Sequence, residues 1–318
     1  MINLISLCQN AEKIGISGHI RPDGDCVGST MGLWQFLSRR FPEKKVEVRL
    51  ERPSELYDFV PGVSKIVDNE DDVVYDVYFV VDSVPERIGM AEKYYNAAKI
   101  KVNIDHHITN EGAGDMCYID AGASSASELV YDLIKEADPE GEYMDESLAK
   151  TLYLGIIQDC GVFGYSNTSS KTMRIAADLI SYGFDFPKLI DETFYEKTFL
   201  QNKVLGEALQ KSVLCLSGQF IYSILTREDI DRLGAGEHDF EGIVNQLRYT
   251  KGVKAAAFLH EIPEGGYKVS LRSGGDVDVA KAASAFGGGG HVRAAGCTLK
   301  GTPGQIVERL TAQISEQL

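Results

Sequence analysis

The sequence predicts an α/β protein: a parallel sheet with helices on both faces, joined by a linker to a smaller α/β domain. Three observations carry this. Apolar strand-like runs at 14–17, 76–81 and 100–104 alternate with helix-patterned stretches, which implies crossover connections and a parallel sheet. The run Asp76-Val77-Tyr78-Phe79-Val80-Val81 is nearly continuously apolar, as in strands covered on both faces. After about residue 204 this alternation gives way to hairpin-like pairs of runs separated by Ser217-Gly218 and by Pro263-Glu264-Gly265-Gly266. The boundaries follow as 1–186 for the first domain, 187–204 for a charged and aromatic linker, and 205–318 for the second.

In chain order, 1–13 reads as a short helix leading into a strand at Ile14–Ser17. The stretch His19-Ile20-Arg21-Pro22-Asp23-Gly24-Asp25 is then expected to be a tight loop, followed by a helix from about Val27 to Arg40 with Met31, Trp34 and Leu37 on one face. A strand at 45–50 and a short helix at 55–62 precede the apolar run ending in Asp82-Ser83. A helix over 86–98 and a strand over 100–104 lead to Asp105-His106-His107. Ser125-Ala126-Ser127-Glu128 has capping-box spacing and opens a helix to about Ala137. Another helix, 145–158, delivers Asp159 at its end, and Asn167 to Ser170 supply caps for a helix closed by Gly183. Beyond the linker come a hairpin over 212–226, a helix near 240–248, two strands turning at 263–266, and a short helix near 277–286. The glycine run Gly287–Gly290 with His291, a strand and a final helix from Pro303 complete the chain.

Composition limits the function. The chain of 318 residues has 47 acidic and 32 basic residues, a net charge of −15, which opposes binding to long duplex nucleic acid through a basic surface. Phosphorylated substrates remain possible where bound ions neutralise them locally. The six cysteines are scattered, with neither a C-x-x-C pair nor the density of a disulfide-stapled domain, which points to a reducing cytoplasm. The first residues are too short and polar for a signal peptide, and no apolar run reaches the ~18 residues of a membrane span.

The chemistry lies in acidic and imidazole residues placed just after strand-like runs. Ligands of open parallel sheets gather beyond the carboxyl ends of the strands, so one sheet edge can collect Asp25, Asp82 and His106. Singly, an aspartate after a strand is more often a cap or turn residue. Together, mixed carboxylate and imidazole ligands suit a hard-to-borderline divalent ion, Mn²⁺ above all with Mg²⁺ or Co²⁺ as alternatives. Two ions ~3.5–4 Å apart can clamp the oxygens of a displacement at phosphorus. Adjacent strand residues point to opposite faces, so one of His106 and His107 is expected to ligate and the other to face substrate, with Asp105 orienting a ring. Cys26 and Cys160 are read as core residues, and Tyr94 and Tyr95 as core and surface filling. In the second domain, Gly288, Gly289, Gly290, His291 and Arg272, with Ser273 and Arg293, are expected to hold substrate phosphate.

These motifs, taken in order from His19-x-x-x-Asp23-x-Asp25 through Asp82, Asp105-His106-His107 and Asp159 to the Gly287–Gly296 segment, resemble the DHH phosphoesterases with their associated DHHA1 domain. The length and domain spacing are similar to the nanoRNase/pAp phosphatase group of that family. The resemblance implies one metal held by His19, Asp23 and Asp82 and a second held by Asp25, Asp82, His106 and Asp159. It further implies His107, Asp82 and Asp105 as catalytic residues. The expected activity is hydrolysis of short oligoribonucleotides to mononucleotides and of 3′-phosphoadenosine 5′-phosphate (pAp) to AMP, by attack of a metal-bridging hydroxide in an interdomain cleft. A cyclic- or linear-dinucleotide phosphodiesterase is the alternative, and a non-catalytic nucleotide sensor a minor one. No membrane partner is expected, and a homodimer is left open.

Overall fold

The computed structural model describes residues 2–318; Met1, at the head of the helix expected over 1–13, lies outside them. The chain forms two compact units, Met1–Glu196 and Lys197–Leu318. The first runs, in chain order, α1 (Leu4–Cys8), β1 (Lys13–Ser17), α2 (Gly24–Arg40), β2 (Lys45–Val48), β3 (Val77–Val81), α3 (Glu92–Ala97), β4 (Ile100–Asp105), β5 (Met116–Ile119), α4 (Ala126–Ala137), α5 (Glu146–Asp159), α6 (Ser170–Ile180) and α7 (Phe186–Ile190).

Its five strands are all parallel, in the order β2-β1-β3-β4-β5. Strand β3 shows why the apolar run reads as doubly covered. Val77, Phe79 and Val81 enter the main core with residues of α2, α4 and α5, while Tyr78 and Val80 enter a smaller core with Tyr94 and Tyr95 of α3. In this strand order the chain leaves β1 and β3 toward opposite sides, and that switch point is where open sheets bind ligands.

Several local expectations change. Helix α2 begins at Gly24, so Asp23 is its N-cap and Asp25 lies in its first turn rather than in a loop. The helix expected over 86–98 is two 3₁₀ turns followed by the six residues of α3. The stretch expected as a helix at 55–62 is the 3₁₀ turn Glu55–Tyr57, with a second turn at Val63–Lys65. Strand β5 has no counterpart in the sequence reading; it is four residues long, and none of them is fully buried, so its pattern carries little signal.

The second unit runs α8 (Phe199–Gln210), β6 (Val213–Cys215), β7 (Phe220–Leu225), α9 (Arg227–Leu233), α10 (Ile243–Arg248), β8 (Ala255–Glu261), β9 (Tyr267–Ser273), α11 (Val279–Ser284), β10 (Gly289–His291), β11 (Ala294–Leu299) and α12 (Pro303–Ser315). The sheet order is β10-β11-β9-β8-β7-β6. Only β7 and β8 pair in parallel, and α9 and α10 lie in the crossover that such a pair requires. Alternate residues of β8 feed two cores, Ala257 and Leu259 one, Ala256 and Phe258 the other. The helix expected near 240–248 starts only at Ile243, because Gly242 breaks the chain direction at φ +82°. Residues 187–204 divide between the units: Leu189 of α7 joins the first core and Val204 of α8 a core of the second. Among the described residues no helix is long and apolar enough to cross a membrane.

Candidate metal centre

The first unit collects its acidic and imidazole side chains at the carboxyl ends of β1, β3 and β4. Asp23 caps α2, its Oδ1 accepting from the backbone N–H of Asp25 at 3.1 Å and of Cys26 at 3.0 Å. His19 donates from Nδ1 to the carbonyl of Ile20 at 2.9 Å, which leaves Nε2 directed at Asp23 Oδ1 (3.6 Å) and Asp82 Oδ2 (3.5 Å). Asp82 follows β3 in a left-handed conformation, φ +57°.

A second group forms around His106. Its Nε2 lies 3.4 Å from Asp82 Oδ1, 3.5 Å from Asp159 Oδ2 and 3.8 Å from Asp25 Oδ2. Asp82 therefore presents one oxygen to each group. Its Oδ1 is buried and has no hydrogen-bond donor, an arrangement that costs free energy unless a cation takes the lone pairs. The donors are carboxylates and imidazoles; the nearby Cys26 thiol is directed at the carbonyl of His19 (3.8 Å) and burial pushes its pKa well up, so it fits a protonated core residue. These residues fit two hard-to-borderline divalent ions sharing Asp82.

Asp25 is held by a feature that its sequence neighbours do not announce. It is 1% exposed, and its two oxygens accept from the backbone N–H groups of Ala126 (2.7 Å) and Ser127 (2.9 Å), the first turn of α4. Glu128 does not close the expected capping box on Ser125. Its carboxylate turns inward to accept from the hydroxyls of Ser124 (2.7 Å) and Thr172 (2.8 Å), tying the start of α4 to α6. Gly155 of α5 makes room beside this contact, since a Cβ there would sit 2.8 Å from Asp25 Oδ1 and inside the radius of Ser127 Oγ.

The Asp105-His106-His107 triplet resolves the problem of two adjacent histidines by ending the strand. Asp105 Oδ1 accepts from the backbone N–H of His106 (2.8 Å) and His107 (3.2 Å), so the chain turns immediately after β4 and the two rings lie 4.7 Å apart. The same oxygen is 2.7 Å from His107 Nδ1, and that side chain is 42% exposed. Asp105 is itself fixed by Asn110, whose Nδ2 donates to Oδ2 at 2.6 Å and to Asn103 Oδ1 at 2.9 Å. Asn103, Asn110, Ser127 and Gly155 escaped the sequence reading. A buried asparagine inside the apolar run of β4 was the available signal for the first.

Electrostatics follow from this crowding. Burial disfavours the charged form of His19, but Asp23 and Asp82 outweigh it and raise its pKa to about 11; burial also opposes charge on His106, where Asp82, Asp25 and Asp159 win and raise it to about 10. Burial, then Asp82 and Asp23, lifts Asp159 to about 6 despite the neighbouring histidines, and burial with Asp82 and Asp159 raises Asp25. The Asp105 carboxylate raises His107. A histidine pKa raised in the folded state contributes stability that is full below about 6.5 and is lost as pH rises through the folded value. Asp159 acts in the same direction at lower pH. The melting temperature of the metal-free protein should therefore fall between pH 6.5 and 10, and a saturating divalent ion should remove most of that fall by replacing the protons. Thermal melts with chelator and with metal check this; a metal-free melting temperature that rises over that range contradicts it.

In the second unit the β10–β11 hairpin and the end of β9 gather the expected phosphate-binding residues. His291 pairs with Ala294, which pairs in turn with Arg272, and Ser273 N–H donates to the carbonyl of Arg293 at 3.0 Å. The glycine run is only partly a loop, since Gly289–His291 form β10. A Cβ at Gly288 or Gly290 would collide with the carbonyls of Gly296 and Ala294, so close strand pairing accounts for those two glycines, whereas Gly289 faces open space.

The chain matches two family models, the DHH family N-terminal domain over residues 13–156 and the DHHA1 domain over residues 217–318. It is 31% identical over 310 residues to the bifunctional oligoribonuclease and PAP phosphatase NrnA of Thermus thermophilus, covering 96% of this chain and 90% of that protein. It is 30% identical over 302 residues to the protein of the same name from Bacillus subtilis, covering 94% and 92%. The crystal structure of an exopolyphosphatase-related protein from Bacteroides fragilis superposes with a TM-score of 0.87 at 26% identity, covering 97% of this chain and 93% of that one.

Proposed function

Because the chain belongs to the DHH/DHHA1 phosphoesterase family and is a hydrolase of phosphate esters, we propose that it cleaves short oligoribonucleotides to mononucleotides and removes the 3′-phosphate of pAp. The observation that carries this reading is Asp82, whose two oxygens face two separate ligand groups. His19, Asp23 and Asp82 would hold one ion and Asp25, Asp82, His106 and Asp159 the other, with Mn²⁺ the ion that the donor set favours and Mg²⁺ or Co²⁺ its competitors. Divalent ions bound there supply a nucleophile at neutral pH and neutralise charge at phosphorus.

The remaining work falls to the protein. His107, oriented through Nδ1 by Asp105, presents Nε2 toward the cleft and donates a hydrogen bond to the phosphoryl oxygen or the departing oxygen. Arg272, Ser273, Arg293, His291 and the open glycine Gly289, with Gly288 and Gly290 shaping the hairpin, take up substrate phosphate on the second unit. The relatives bearing the same two domains are named for oligoribonuclease and PAP phosphatase activity, and we extend that substrate class to this chain as a cytoplasmic enzyme. Digestion of 5′- and 3′-labelled oligoribonucleotides of increasing length, pAp and cyclic dinucleotides with Mn²⁺ tests it. Mononucleotides from the shortest oligomers and AMP from pAp are expected; turnover of cyclic dinucleotides alone would assign the chain to the alternative substrate class.

A further inference from the structure

The cleft beside the metal centre extends past the ligands. A cavity of about 380 Å³ in the first unit is lined by His19, Asp82 and His107 together with Arg21, Arg87, Ile20 and Val84. Its volume lies in the range of small-ligand sites. Among the described residues neither guanidinium has a hydrogen bond or ion pair; the same holds for Arg40, Arg174, Arg248 and Arg309, but of these six only Arg21 and Arg87 line the cavity. Beside an acidic centre, in a chain with 47 acidic and 32 basic residues, two arginines without a carboxylate partner keep their guanidinium donors available to a ligand anion.

The loops that carry them are fixed. Ile20 N–H donates to the carbonyl of Arg87 at 2.9 Å, joining the loop after β1 to the turn after β3. Glu51 accepts from the Arg21 backbone N–H at 2.8 Å and so holds the loop without occupying the guanidinium. Arg21 also sits at φ +55° immediately before Pro22, a conformation that costs on the order of 1 kcal/mol or more and that surrounding contacts must maintain.

We propose that Arg21 and Arg87 form a second phosphate site, which binds the phosphodiester adjacent to the one being cleaved, with Ile20 and Val84 against the intervening nucleoside. The site rests on the oligonucleotide reading above. It makes the enzyme read the number of phosphates: an oligomer with a second phosphate one nucleoside from the scissile one places it between the arginines, whereas a dinucleoside monophosphate has none there.

The test compares wild type with Arg21→Gln/Arg87→Gln on a dinucleotide and a trinucleotide, both without terminal phosphates, in Mn²⁺. The variant's kcat/KM on the trinucleotide should fall roughly 10- to 100-fold, the worth of one or two charge-assisted hydrogen bonds, chiefly through KM, and much less on the dinucleotide. Arg21→Lys/Arg87→Lys should recover part of the loss. Bound metal and melting temperature serve as folding checks, and Arg87→Gln alone, at an unstrained position, replaces the double variant if that one fails them. Equal losses on both substrates, or unchanged trinucleotide turnover, would overturn the second site. Wild-type inactivity on both oligomers would instead overturn the oligonucleotide reading itself.

Discussion

Asp82→Asn should lower kcat by about a thousandfold or more while the protein stays folded, since a divalent ion's charge stabilisation of the transition state amounts to several kcal/mol. Asparagine keeps the shape of the side chain and tolerates the left-handed backbone at φ +57°, and the backbone N–H of residue 82 keeps its bond to the carbonyl of Ile104 at 2.9 Å. What changes is charge. The amide offers one neutral oxygen, so it can serve only one of the two ligand groups, and its NH₂ faces the other. Both groups lose their shared anion, and the increase in melting temperature on adding metal should shrink with activity. Steady-state kinetics and metal-dependent melts measure the two effects. Near-normal turnover in this variant would remove the reason for assigning two ions.

Gly155→Ala should be the most destabilising of the conservative changes, by roughly 1–3 kcal/mol from overpacking, and should also weaken the His106 group. Gly155 lies where α5 crosses α2, and a Cβ at Gly28 on the facing helix would likewise sit 2.8 Å from the Gly155 backbone. The added methyl would press on Ser127 and on Asp25 Oδ1 at 2.8 Å, so relief requires moving either α5 or the first turn of α4 that grips the Asp25 carboxylate. Ser127→Gly in the same chain removes the obstructing side chain and should restore part of the stability and of the metal affinity. Chemical denaturation of the single and double variants tests this, and a single variant within about 0.5 kcal/mol of wild type would show that the helices have slack.

Much of the candidate site was legible because Asp82 and the Asp105-His106-His107 triplet stand at the ends of strands. An apolar run followed at once by Asp82, or by Asp105-His106-His107, locates both a strand and its exit, and a parallel sheet then brings the exits to one edge. The sequence could not reveal which oxygen faces which group, because that depends on the left-handed turn at Asp82. It also concealed the partners of Asp25, which lie 101 and 102 residues away in chain order. Long-range backbone contacts leave no periodic signal. The glycine run misled in part: Gly288 and Gly290 are small because β10 and β11 approach closely, so the same four letters combine a packing requirement with one open position at Gly289. Arg21 lies inside the His19–Asp25 motif, yet its place in the cavity depends on the turn bearing Arg87 returning beside it.

Electrostatics explain why an acidic chain can act on phosphate. Four aspartates at the centre would repel substrate if left uncompensated, and the raised pKa values of His19 and His106 record how strongly the site attracts positive charge. Two divalent ions held there would reverse its sign locally, whatever the net charge of −15 does at longer range.

In the proposed mechanism Asp82 joins two ion sites with different ligands. Anomalous diffraction from crystals of the wild type and of Asp25→Ala, both loaded with Mn²⁺, tests it most directly. The wild type should show two peaks ~3.5–4 Å apart with the Asp82 carboxylate between them, and Asp25→Ala should lose chiefly the peak beside His106 and Asp159 while keeping the one beside His19 and Asp23. A single peak in the wild type, or loss of the His19 peak in the variant, would contradict the account.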